Sequence, residues 1–77
     1  MKRKIISYLK DLESLEDEHL EELLILVYRL LDSACSEDYN LCLSAICHVG
    51  NINKSDVMVQ QLLHDCVVKS RIFLYDN

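Results

Sequence analysis

Apolar side chains recur along this chain at three- and four-residue intervals, the spacing that gathers them on one side of an α-helix. Ile5, Ile6, Leu9 and Leu12 follow that spacing and predict a first helix from about Lys2 to Glu13. Its basic start, Lys2, Arg3 and Lys4, opposes the helix dipole, so the first residues are expected to fray. The run LESLEDEHL marks a break and restart, with Ser14 or Asp17 as the cap of the next helix. From about Asp17 to Ala34, Leu20, Leu23, Leu24, Val27, Leu30, Leu31 and Ala34 fall in one stripe. At 100° per residue that stripe is about 120° wide. Glu21, Glu22, Arg29, Asp32 and Ser33 take the far side.

SACSEDYN is the next boundary, where Ser36 is a suitable cap and Glu37 and Asp38 suit a first turn. A third helix is predicted from about Glu37 to Val49, with Tyr39, Cys42, Leu43, Ala45, Ile46 and Val49 facing inward. Gly50, the only glycine, sits where a left-handed C-terminal cap belongs, and Ser55, helped by Asp56, should cap a fourth helix.

That last helix, VMVQQLLHDCVVKSRIFLY, is apolar on more than one side. Met58, Val59, Leu62, Leu63, Cys66, Val67, Phe73 and Leu74 cover roughly half its circumference. Val57, Val68, Ile72 and Tyr75 form a second track, interleaved with Gln60, Gln61, His64 and Arg71. One face can meet the core of its own domain; the other is expected to meet another molecule or a neighbouring domain. Two blander outcomes compete with this. Single exposed apolar residues are common on any protein, and a central fourth helix touched by the other three would hide most of the excess.

Composition narrows the fold class. The chain has 77 residues, of which 51% are hydrophobic, with no proline, no tryptophan and one phenylalanine. So few breakers favour an all-α domain over a β-fold with Gly/Pro turns. The expectation is one domain, residues 1–77, built as a compact bundle of about four helices in two antiparallel hairpins. At this size a single core is thin, and partners often supplement it. The stretch CLSAICHVGNINKSDVMVQQLLHDC resembles a helix-turn-helix hairpin of the HEAT type. The likeness covers one hairpin, whereas a solenoid needs several stacked copies, so no family follows from it.

Charge then limits the partners. The formal net charge is −5, which argues against direct nucleic-acid binding, because phosphate neutralisation needs clustered Lys and Arg. MKRKIISYL starts like an export signal, but Lys10 and Asp11 end its apolar run too early. The longest apolar run, LLILVY, is far below the roughly 20 residues a membrane-spanning helix needs. A cytoplasmic, non-membrane protein is therefore expected, with Cys35, Cys42, Cys47 and Cys66 as free thiols.

Catalytic and metal chemistry find little support. His64-Asp65 spells a dyad of metal-dependent phosphohydrolases, which need further ligands from several helices. Cys42 and Cys47 stand about 140° apart around a helix, unlike the close pairs of structural zinc sites, and His64 and Cys66 diverge more. Cys47 and His48 are helix neighbours that face apart, so they make no nucleophile–base pair. Buried cysteines acting as small apolar fillers explain these positions better. One glycine cannot build a phosphate loop. No enzyme activity and no cofactor are expected.

The expectation for function is a small helical protein–protein interaction module, an adaptor or regulatory factor. It would bind through Val57, Val68, Ile72, Phe73, Leu74 and Tyr75, with Lys69 and Arg71 at a polar rim, and it would also self-associate as a homodimer. A second class is an acidic phage-type inhibitor of a nucleic-acid enzyme, mimicking charge through Glu16, Asp17, Glu18, Glu21 and Glu22. A third is a helical domain of a larger assembly. The bland reading of the acidic run is a solvated helix start, its carboxylates placed to suit the dipole.

Overall fold

The computed structural model describes residues 2–33, 35–52 and 56–75, the last four by their backbone. Four α-helices carry the described chain: α1 (Lys2–Lys10), α2 (Asp17–Ser33), α3 (Ser36–Ile52) and α4 (Val57–Tyr75). A single 3₁₀ turn, Leu12–Ser14, joins α1 to α2. No strand occurs among the described residues.

Side-chain pairs between helices fix their directions. Lys4 and Tyr8 of α1 meet Glu22 and His19 of α2 respectively, so these two run antiparallel. Tyr39 of α3 reaches the Ser70 carbonyl of α4, while Gly50 lies beside Leu63, so this pair is antiparallel too. Across the hairpins, Cys66 bonds to the Leu24 carbonyl and Lys69 to the Tyr28 carbonyl; α2 and α4 therefore run parallel. The bundle is two antiparallel hairpins, as the apolar pattern predicts. Its centre is α2, which packs on α1, α3 and α4, whereas α1 and α4 scarcely touch. The possibility of a central fourth helix is thus not realised: α4 is an outer helix.

The stripe on α2 explains its place. Leu20, Leu23, Leu24, Val27, Leu30 and Leu31 are all buried. Each such side chain stabilises by about 1.5–3 kcal/mol when fully removed from water. From α3, Tyr39, Cys42, Ala45, Ile46 and Val49 join them, with Ile5, Leu12, Val59 and Cys66 from the other segments. Leu43 is half-buried at the edge.

Several predicted boundaries are wrong, and for local reasons. The first helix ends at Lys10, not Glu13, because Asp11 leaves helical geometry at φ −140°, ψ 48°. The 3₁₀ turn that follows brings Leu12 into the core, and the Ser14 hydroxyl donates to the Asp11 carbonyl at 3.0 Å. Neither Ser14 nor Asp17 occupies the cap position of α2; the Glu16 carbonyl accepts the first bond, from Leu20 N–H at 3.1 Å. Ser36 is already helical, and the Cys35 carbonyl accepts from Tyr39 N–H at 2.8 Å. At α4 the Asp56 carbonyl takes the same role for Gln60 at 3.0 Å, and Ser55 lies outside the described residues, as does Ala34.

Gly50 is the clearest correction. It is not a left-handed cap but an interior residue of α3, which continues through Asn51 and Ile52. A Cβ there would lie 3.9 Å from Leu63 Cδ2, an ordinary contact. Gly50→Ala should therefore raise stability by about 0.5–1 kcal/mol, since glycine loses more backbone freedom in a helix than alanine does. Urea melts of the two proteins test this; a loss of stability in the alanine variant would restore the cap reading.

Candidate functional site

On α4 the structure separates residues that the helical wheel lumps together. Val59 and Cys66 are buried, and Leu62, Leu63 and Val67 are half-buried against α2 and α3. Met58, predicted to face inward, is 55% exposed in the first turn of α4. Ser70 is buried instead, in line with Val59 and Cys66 on the inner face. Its hydroxyl donates to the Val67 carbonyl at 2.8 Å, and its carbonyl accepts the Tyr39 hydroxyl at 3.0 Å, so the polar groups are satisfied. The second track is partly visible: Val57 is 78% exposed and Val68 40%. The side chains of Ile72, Phe73, Leu74 and Tyr75 lie outside the described residues.

Beside Val68 lies a surface that the sequence reading does not assign. Ile25 and Tyr28 of α2 stand three residues apart, off the buried stripe, and both are about 40% exposed. With α4 they line two adjoining hollows. One, of about 320 Å³, is walled by Ile25, Tyr28, Arg29, Leu62 and Asp65; the other, of about 420 Å³, by Tyr28, His64, Asp65, Val68 and Lys69. Tyr28 and Asp65 stand in both walls. The available signal was the Ile25/Tyr28 pair at i, i+3, outside the α2 stripe.

Lys69 organises this groove. Its ammonium sits 3.8 Å from the centre of the Tyr28 ring, donates to the Tyr28 carbonyl at 3.3 Å and pairs with Asp32. A cation–π contact at a partly exposed site is worth about 0.5–1 kcal/mol. Its structural effect matters more here: it fixes the Tyr28 ring against α4 where the lining of the two hollows is shared. Lys69, predicted to be a rim charge, is thus committed to its own subunit.

The acidic run spreads over the start of α2. Glu16, Asp17 and Glu18 are exposed, Glu21 is half-buried, and Glu22 is engaged by α1. Tyr8 donates its hydroxyl to Glu22 at 2.6 Å, and Lys4 pairs with the same carboxylate. Hydrogen bonds from Lys4 and then Tyr8 hold the Glu22 carboxyl below its ordinary value of 4.5. The bond to Glu22 raises Tyr8 above 10.0 and Lys4 above 10.5. The depressed acid stabilises the docked α1 fully above pH 4.5 and loses that effect as pH falls through its folded value. The raised phenol and amine stabilise below their ordinary values and lose the effect as pH rises through the folded ones. Amide hydrogen exchange should therefore show α1 best protected at intermediate pH. It should loosen at both extremes, and Glu22→Gln should flatten the acid limb.

The chemical residues do not converge. Among the described residues, no three His, Cys, Asp or Glu side chains are placed to hold one metal ion. His48 is within 2.6 Å of the Ser44 carbonyl through Nδ1, and His64 is exposed while Asp65 accepts from Gln61 at 3.1 Å. Cys47 is exposed, so the apolar-filler role fits Cys42 and Cys66 and not Cys47. All four cysteines are free thiols.

No family model, curated protein or solved structure matches the chain. Among the described residues, no helix is long and apolar enough to cross a membrane. The groove between α2 and α4 mixes apolar Ile25, Leu62 and Val68 and the Tyr28 ring with the polar side chains of Arg29, His64, Asp65 and Lys69.

Proposed function

We propose that this protein is a small interaction module that binds protein through the outer face of α4 and the adjoining edge of α2, and that it self-associates through this face. The observation that carries the reading is the exposure of Val57, Met58 and Val68 on one helix, continuous at Val68 with Tyr28 and Ile25. An outer helix with this much uncovered apolar surface gains free energy when a partner excludes water from it. Tyr28 supplies the rigid aromatic anchor typical of such contacts, already held in place by Lys69. The predicted anchors Ile72, Phe73, Leu74 and Tyr75 follow on the same helix.

Charge mimicry is the weaker reading, because Lys4 and Tyr8 occupy Glu22 inside the subunit. Salt separates the two. Light scattering after size exclusion, at tens of micromolar, should show association that persists in high salt, whereas charge-driven binding would weaken steeply. Val68→Asp should abolish association and leave the helical circular-dichroism spectrum unchanged. A folded Val68→Asp variant that associates like the parent would remove this face from the account.

A further inference from the structure

Among the described residues, α2 buries six side chains and α3 five, whereas α1 buries Ile5 alone. Tyr8 and Leu9 of α1 rest half-buried at the edge of the core. Ile5 lies between Lys4 and Tyr8, which meet Glu22 and His19, so it enters the core beside the turn of α2 that carries Leu20 and Leu23. The other ties of α1 are polar and reach solvent: Lys2 pairs with Asp38 of α3 at 3.1 Å, and Lys4 and Tyr8 share Glu22. Exposed pairs of this kind stabilise little and weaken in salt.

The chain beyond α1 is held differently. Leu12 is buried, which pins the 3₁₀ turn to the core, while Asp11 just before it has left helical geometry. A cavity of about 570 Å³ lies at this junction, lined by Leu9, Asp11 and Leu12 together with His48, Asn51 and Ile52 of α3. The last turn of α1 therefore borders open space on that side. Helices α2, α3 and α4 each pack on the other two, so their core stays joined without α1. We propose that α1 is a latch: it swings off α2 and α3 about Asp11 as one unit, while the other three helices stay folded. The screenable contacts to Asp38 and Glu22 hold it shut, and opening uncovers the apolar site that Ile5 fills. Segments with few buried contacts and exposed polar ties are those that open ahead of a whole domain.

A thiol placed under the latch tests this, with Cys66 as the reference inside the same molecule. In Ile5→Cys the new thiol should be alkylated roughly tenfold or more faster than Cys66, and more slowly than the exposed Cys35. Raising potassium chloride from about 10 mM to about 1 M, which shortens the screening length from about 30 Å to about 3 Å, should widen that ratio severalfold. A new thiol that reacts in step with Cys66 at both salt concentrations overturns the latch, since α1 then leaves only when the whole core opens. A faster reaction that salt does not change overturns the part given to the polar contacts. If the substitution itself frees α1, so that the new thiol reacts like Cys35, hydrogen exchange in the parent decides. The parent's α1 amides should exchange as one group ahead of the core amides of α2, α3 and α4, and sooner in high salt. Exchange of α1 in step with the slowest core amides overturns the proposal.

Discussion

Leu24→Ala will cost about 2–5 kcal/mol of folding free energy, the range for emptying a fully buried leucine site. Leu24 is wholly buried in the middle of α2, the helix against which the other three pack. A chain of this length is held by only about 4–11 kcal/mol in total, so the variant will be close to unfolding at ambient temperature. The adjacent position supplies the control. Ile25 is similar in size but 40% exposed, and Ile25→Ala, measured in dilute solution, should stay within about 1 kcal/mol of the parent. Urea midpoints that fall equally for both variants would mean that α2 is not oriented as described.

The second large effect is a division among the thiols. Cys42 and Cys66 are wholly buried, and each sulfur points at a carbonyl of α2, Val27 at 3.8 Å and Leu24 at 3.4 Å. Burial pushes the Cys66 thiol up to about 12 and the Cys42 thiol to about 11, so neither supplies appreciable thiolate near neutrality. Cys35 and Cys47 are exposed. Alkylation of the native protein should consume two thiols quickly. The remaining two should react about a thousandfold or more slowly, because they must wait for the core to open. Denaturant should bring all four into the fast class. Four thiols reacting at comparable native rates would show that the core around α2 and α4 is not closed.

The parts of this fold that were legible in the sequence are those where one periodicity dominates. The buried leucines and Val27 of α2, and the inward set on α3, could be read directly because their polar residues lie opposite. Helix ends were less legible. Ser14 or Asp17, Ser36 and Ser55 were expected as caps, yet the residues in the cap positions are Glu16, Cys35 and Asp56, through backbone carbonyls that any residue possesses. Gly50 was misread because conformational freedom permits a left-handed turn without requiring one. On α4 the apolar residues are spread too evenly for a wheel to rank them, so Met58, expected inward, is exposed, and the buried Ser70 was not singled out. The groove was least legible of all. Lys69 over Tyr28, and Tyr28 with Asp65 in the walls of both hollows, join residues about forty positions apart and exist only once α2 and α4 pack in parallel.

One measurement reaches the face itself. Methyl-labelled spectra of the full chain, followed from millimolar to micromolar concentration, report which side chains change surroundings as copies separate. The resonances of Ile25, Val57 and Val68 should shift together along one binding curve, with the Tyr28 ring following, while those of Ile5, Leu20 and Leu23 stay fixed. Spectra unchanged over that whole range, or shifts confined to α1 and the acidic start of α2, would contradict the account.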